Sequence, residues 1–499
     1  MIKISKKIIS IKIISIFILI TLATSCSQSD NVVKNDQETL KSETLILETT
    51  SSVKSVAYDV LDLEPEYDDD AAIKINFDEK NVPDNAADSV SEDDENVILK
   101  SGGIYVLKGT LKDKRVKIGE GQGERVEIVL DGFSYDGNKD CVIYSPDKKC
   151  KMLIFLANGS DNVINLNTSS IASEKVVEKA AIFANGNLSF SGKGKLTINT
   201  EFESCIVSKN DLVFIDGQYI VNTKGDAIKT KEKLLMRSGN FNITSGDDAI
   251  KATSEKDGYF HFENAYLYIG AGDKGIASDN DVHIFGGEIN IDSKGEGIVG
   301  KTIDMSGGVV KVKSGDDGIN ANDKNQNKKD NQKGVYVRIS GGKLKIDAAM
   351  DGIDSNGDLL LEGGNLFISG AENDNERIID YNGDITLLNT PGMNMIGVGP
   401  GAKMQDFGDN AEQNYIVVYF DEYARVMSTI EVTDENGNMI LSYEANKPYK
   451  AALITSPKLI KGKTYIVSNY FDPYRNGKEG KEYRVNLIKG RNVLNVSPY

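Results

Sequence analysis

Six short segments of this chain set carboxylates beside an isoleucine: KGDAI at 224–228, GDDAI at 246–250, GDKGI at 272–276, GEGI at 295–298, GDDGI at 315–319 and MDGI at 350–353. Two places before the isoleucine stand Asp226, Asp248, Lys274, Glu296, Asp317 and Asp351, and three places before it stand Asp247, Asp273 and Asp316. Carboxylate oxygens are hard donors, and calcium takes about six to eight of them at about 2.3–2.6 Å. On strands stacked at about 4.8 Å these carboxylates would repel one another, and an ion between successive rungs converts that repulsion into attraction. The candidate metal ligands are Asp226, Asp247, Asp248, Asp273, Asp316, Asp317, Asp351 and Asp354, and the expected ion is Ca2+. A plainer role is open to each of them, because Asp in a Gly-Asp corner favours the turn by bonding the local backbone.

Other chemistries have little material. Two histidines in 499 residues leave imidazole-centred zinc sites and Ser-His-Asp catalysis short of parts. Asp and Glu number 75 against 58 Lys and Arg, a formal charge of -17, so there is no electrostatic footprint for nucleic acid. The partner is neutral, cationic, or bridged by a cation. Gly is 48 while Pro is 9, and 39% of residues are apolar, which excludes collagen and disordered Gly/Pro-rich chains. The glycines are therefore turning an ordered chain.

The elements that would position the acids form a repeat. The six isoleucines, Ile228, Ile250, Ile276, Ile298, Ile319 and Ile353, lie 22, 26, 22, 21 and 34 residues apart. The long interval contains the polar insertion 323–333. Weaker rungs extend through Ile206 and Ile182 upstream and through Ile378 or Ile379 downstream. Gly217, Gly239, Gly287, Gly308, Gly342 and Gly364 keep the same time, with an unmarked rung near Glu263 and Asn264. Each period holds three short alternating runs separated by Gly and Asp/Asn clusters, which is the pattern of strands and turns. Three strands in about 22 residues predict an all-β parallel β-helix over 72–400, with the isoleucines stacked as an inward ladder.

The ends differ from the repeat. Lys3, Lys6, Lys7 and Lys12 precede an apolar run at 13–20 that is too short to span a bilayer, so residues 1–26 predict an export signal. The stretch at 22–26 resembles a lipoprotein lipobox, with Ala23 in place of the usual Leu and Cys26 as the lipidated residue. Removing the four lysines leaves 54 minus 75, or -21. Residues 27–71 are polar and acidic and predict a disordered tether; such a chain would hold the body roughly 35–40 Å from a membrane anchor. Simple secretion is the alternative to anchoring at the cell surface. Among Cys141, Cys150 and Cys205 at most one internal bridge is allowed, and buried thiols serve equally well. Beyond Pro400 the repeat stops, and short alternating runs across 412–499 predict a small antiparallel β-sandwich, read as a cap.

The repeats GDDAIKA and GDDGINA, each after a Ser-Gly turn and a short apolar strand, resemble the calcium-binding, carbohydrate-binding parallel β-helix proteins of cellulolytic bacteria. Upstream, 102–111 and 126–132 look like that family's entry rungs, and the likeness runs from about residue 72 to the C-terminus. The resemblance implies a right-handed β-helix related in fold to pectate lyases, which binds cellulose and acidic sugars such as polygalacturonate with calcium among its Asp-rich turns; the chain is expected to be a monomer. The composition suits the acidic sugar better, since there is no Trp to build a flat aromatic row for cellulose. A lyase of this fold would need calcium and an unprotonated base; Lys229, Lys251 and Lys274 are the candidates near the acids. The reading is a non-catalytic, surface-anchored polysaccharide binder, with a calcium-dependent lyase and a structural adhesin lacking a glycan ligand as its rivals.

Overall fold

The computed structural model describes residues 44–47, 56–64, 66–79, 86, 88–121, 125–167, 179–201, 204–371, 373–471, 479–487 and 490–495. The signal-type segment 1–26 with Cys26, and the tether up to residue 43, lie outside the described residues. The described chain is all β apart from 3-10 residues at Val60–Asp62 and at Ala86.

Three ladders of parallel strands make a solenoid. The first wall stacks Leu212–Phe214, Lys233–Met236, Tyr259–Phe262, Asp281–Ile284, Thr302–Met305 and Tyr336–Ile339. The second stacks Gln218–Asn222, Asn240–Thr244, Tyr266–Ala271, Glu288–Ser293, Val309–Ser314 and Lys343–Ala348. The third stacks Ser204–Ser208, Asp226–Thr230, Ile250–Ala252, Ile276–Ser278, Ile298–Gly300, Ile319–Ala321, Ile353–Ser355 and Ile379–Tyr381. One strand from each wall completes a coil, and the next coil lies on top of it.

Alternation decides which side chains point inward. In Val309–Ser314 the residues Val310 and Val312 are buried while Lys311 and Lys313 are exposed. In the third wall Ile206, Ile228, Ile250, Ile276, Ile298, Ile319, Ile353 and Ile379 are direct register partners and all are buried. Each such side chain withdrawn from water stabilises the coil by about 1.5–3 kcal/mol, and no single rung could bury its own. The polar insertion at 323–333 lies between the third-wall strand Ile319–Ala321 and the first-wall strand Tyr336–Ile339. Cys141, Cys150 and Cys205 are buried thiols.

Two glycine positions have a geometric cause. Gly217, Gly239, Gly287, Gly308, Gly342 and Gly364, at the bend from first to second wall, all have positive φ, where a side chain would be strained. At the opposite corner a Cβ on Gly272 would lie 2.0 Å from the carbonyl oxygen of Gly246 on the rung below. The rungs can approach there because neither residue has a side chain.

Residues 56–64 and 66–71, read from sequence as part of a free tether, are ordered on the solenoid. Val56–Asp59 is a strand, Tyr58 is buried against Ile215, Leu235 and Tyr259, and its hydroxyl donates to Glu263 Oε1 at 2.8 Å. Asp62 is buried and pairs with Arg125 at 2.7 Å and Lys151 at 2.9 Å, while the Ser189 hydroxyl donates to it at 2.7 Å. Acidic composition had concealed a short apolar alternation and charges complementary to a basic spot on the coil.

The C-terminal residues add two sheets. Ile385–Gly399 pairs in parallel with the solenoid strand Asp358–Ser369 and antiparallel with Tyr449–Thr455. Tyr449–Thr455 pairs antiparallel with Tyr415–Ala424, which pairs in parallel with Arg491–Asn495. That last pairing departs from the purely antiparallel expectation. A second sheet, ordered Met439–Glu444, Thr429–Asp434, Thr464–Phe471, Glu479–Asn486, is antiparallel throughout. Ile396, Val398, Ile416, Val432 and Ile454 form part of a separate core here. The second-wall edge of the final coil is thus paired, while Ile379–Tyr381 is the end strand of the third wall.

Candidate functional site

The acids occupy the corner between the second and third walls, and the backbone sets their register. The N–H of Ala227 donates to Asp248 O at 3.0 Å, Ala249 to Lys274 O at 2.9 Å, and Gly275 to Glu296 O at 3.2 Å. Gly297 donates to Asp317 O at 2.9 Å, Gly318 to Asp351 O at 2.9 Å, and Gly352 to Arg377 O at 3.2 Å. The column therefore reads Asp226, Asp248, Lys274, Glu296, Asp317, Asp351, Arg377. Lys274 divides the acids into two blocks, and Arg377 ends the second.

In the first block, one carboxylate oxygen from each of Asp226, Asp247 and Asp248 lies within 4.8 Å of the others. Two oxygens held by one calcium at about 2.3–2.6 Å lie at most about 5.2 Å apart, so one such ion could reach all three. Asp226 and Asp248 are buried and Asp247 is exposed. Lysines share the space: Lys229 Nζ lies 3.0 Å from Asp226 Oδ2, and Lys251 Nζ lies 2.6 Å from Asp248 Oδ2 and 3.9 Å from Asp226 Oδ1. Asp226 Oδ1 is buried and accepts no hydrogen bond among the described residues. An acceptor left so is costly unless a cation or donor reaches it. Partial desolvation and then the carboxylates of Asp226 and Asp248 push Asp247 above the ordinary carboxylate value. Burial works against the charge on Lys251, but Asp248, Asp226 and Asp247 outweigh it and raise its value.

In the second block Asp351 is buried, Asp316, Asp317 and Asp354 are half-buried, and like charge is concentrated. Burial, then Asp354 and Asp351, push Asp317 up to about 8. Burial, then Asp380, push Asp354 up to about 7. Burial also raises Asp351 to about 7, with the Arg377 N–H opposing and Asp380 reinforcing. Asp316 is raised by burial and by Glu296. Asp354 sits on the strand Ile353–Ser355, in register with Asn320 below and Asp380 above.

Of the two roles foreseen for the aspartates, the bonding to backbone is seen, and it runs to the next rung rather than within the corner. Asp248 Oδ1 accepts the N–H of Lys274 at 3.0 Å, Asp317 Oδ1 accepts that of Asp351 at 2.9 Å, and Asp351 Oδ1 accepts that of Arg377. One oxygen thus ties the next rung's backbone, while the other meets a side chain of its own rung, Lys251 Nζ at 2.6 Å for Asp248 and Asn320 Nδ2 at 3.2 Å for Asp317. Asp273 stands apart from the first group: its Oδ2 accepts from Lys274 Nζ at 2.8 Å, and the same ammonium lies 3.3 Å from Glu296. Sequence reasoning passed over Asp380, which follows Ile379 as Asp354 follows Ile353. It also passed over Arg377, two places before Ile379, at the offset that marks the rest of the column.

Residues 93–297 and 266–386 match the family of carbohydrate-binding domain-containing proteins. Together these stretches run over 93–386, more than half of the 499 residues, and the chain belongs to that family. A carbohydrate-binding domain-containing protein of Acetivibrio thermocellus is 29% identical over 154 residues, covering 30% of this chain and 54% of that relative. The chain thus spans about half the length of the curated relative it matches. A solved structure described as the polysaccharide lyase-like protein from C. thermocellum, a gadolinium derivative, has 22% identity and a TM-score of 0.28, covering 63% of this chain and 95% of the other.

Proposed function

We propose that this chain is a non-catalytic binder of acidic plant cell-wall polysaccharide, polygalacturonate being the model ligand, which uses calcium at the aspartate corner to receive the sugar carboxylates. Membership of the carbohydrate-binding family across 93–386, the span that contains the whole acidic column, is the observation that carries the reading. Asp226, Asp247 and Asp248 would hold one ion, and Asp317, Asp351 and Asp354 are candidates for another. Calcium supplies positive charge and open coordination positions where the bare carboxylates would repel a uronate. The solenoid is proposed to be a right-handed parallel β-helix, its C-terminal sheets a sandwich cap. Lipidation at Cys26 would fix the monomeric body to the outer face of a cell membrane.

Without metal, two of the three lysines near the acids are poor bases. A catalytic lysine must lose its proton near neutral pH, yet Asp273 and Glu296 raise Lys274 and Asp248 raises Lys251. Both are ammonium groups in the metal-free corner. Titrating an oligogalacturonide into the calcium-loaded protein in a calorimeter, with ultraviolet absorbance followed in parallel, tests the proposal. Heat of binding with flat absorbance is expected. No heat, or absorbance that grows with time as unsaturated ends form, would overturn it.

A further inference from the structure

The acidic corner does not account for a groove on the outer face of the second wall, which has a volume of about 490 Å³. Register pairing sets Asn242, Tyr268, Asn290, Lys311 and Lys345 in one outward line on five successive strands. Four rung steps make that line roughly 19 Å long, parallel to the solenoid axis. Tyr268 is 49% exposed, and Tyr266, two places earlier on the same strand, is 50% exposed. Lys311 pairs with Glu288 at 3.3 Å. Lys345 makes no ion pair among the described residues, and its ammonium lies over the Tyr443 ring, 5.6 Å from the centroid.

The C-terminal sheets close one end. Asn446 donates from Nδ2 to Asp347 Oδ2 at 3.1 Å and Lys447 pairs with Asp347 Oδ1 at 3.0 Å, so the loop after Met439–Glu444 is fastened beside the groove. The side of the groove formed by Thr244 and Gly270 leads within two residues into the acidic corner at Gly246 and Gly272.

We propose that this groove is a subsite for a linear acidic oligosaccharide lying along the second wall, with a Tyr268 stacking platform and a Lys345 contact to a sugar carboxylate that needs no metal. The inference rests on the glycan-binding reading and gives it a face. A pyranose presents C–H groups on its flat side, and these suit the electron-rich face of an exposed tyrosine ring. Hydroxyls along the edges suit the amides of Asn242, Asn290 and Asn446, which both donate and accept. The half-buried Lys345 can form a charge-assisted hydrogen bond to a carboxylate.

Full-length protein is titrated with hexagalacturonide and with cellohexaose, each in chelator and in calcium. Wild type is expected to bind hexagalacturonide in chelator as well as in calcium. Tyr268→Ala should weaken both sugars by about tenfold, while Lys345→Gln should weaken only hexagalacturonide, again by about tenfold. Unchanged melting temperatures would show that both variants are folded. If wild type binds hexagalacturonide but neither substitution alters the affinity, or if all binding vanishes in chelator, the groove is not the subsite and the glycan-binding reading survives. If wild type binds neither sugar under either condition, that reading falls and the groove with it.

Discussion

Replacing Lys251 with methionine should make calcium bind more tightly. The ammonium lies 2.6 Å from Asp248 Oδ2 and 3.9 Å from Asp226 Oδ1, between two of the three carboxylates that would hold the ion. It is the cation that calcium must displace. Asp248 is 3% exposed and Lys251 33% exposed in their side chains, so solvent screens the pair only in part, and the low to middle part of the range for a charged hydrogen bond applies, about 2 kcal/mol. Without that competitor the calcium dissociation constant should fall by roughly thirtyfold. The metal-free variant should be less stable by a similar amount, because Asp248 keeps only the Lys274 N–H at 3.0 Å. Calorimetric titration of calcium into chelator-treated wild type and Lys251→Met, with melts of both at zero and saturating calcium, reads the two effects. A variant that binds calcium no more tightly than wild type, or a melting deficit that persists at saturation, would refute the competition and with it the assignment of the ion to this corner.

Three further outcomes follow from the geometry. Asp317, Asp351 and Asp354 have folded values of about 8, about 7 and about 7 against 3.8 in the unfolded chain, so the folded state holds extra protons between those limits; their contribution is complete below about pH 3.8 and is lost as pH rises through 7 to 8. In chelator the melting temperature should therefore fall from pH 5 to pH 8, and the gain on adding calcium should be larger at pH 8; a flat or rising profile in chelator contradicts this. Gly272→Ala places a Cβ 2.0 Å from the Gly246 carbonyl oxygen and should lower stability by about 1–3 kcal/mol, whereas at Gly270 the space is open and Ala should be near neutral; urea midpoints compare them. Asp62→Asn removes the pairs to Arg125 and Lys151 and should cost about 2–3 kcal/mol, with proteolysis accelerated first at residues 56–64.

The solenoid was legible because its signal is local and repeated. Ile228, Ile250, Ile276, Ile298, Ile319 and Ile353, chosen by spacing alone, are register partners in the third wall, and the rung lacking a marker glycine turns at Glu263, Asn264 and Ala265. Asp226, Asp247 and Asp248 could be grouped for the same reason. The sequence was silent where partners are far apart in the chain and obey no period. Tyr58 meets Glu263 across 205 residues, and Asn446 meets Asp347 across 99. The second-wall line of Asn242, Tyr268, Asn290, Lys311 and Lys345 is likewise a column of unlike residues, which no repeat of type reveals. Lys251 was noticed as a candidate base, but its place among the carboxylates became visible only with the corner's depth.

Retention on insoluble pectate at fixed ionic strength, measured with the wild-type protein in calcium and in chelator, tests the central claim most directly. Calcium should increase the bound fraction at limiting protein, and Asp226→Asn combined with Asp248→Asn should remove that increase while the fold is kept. Equal retention in calcium and chelator, or a calcium response that survives the double substitution, would contradict the role assigned to the aspartate corner.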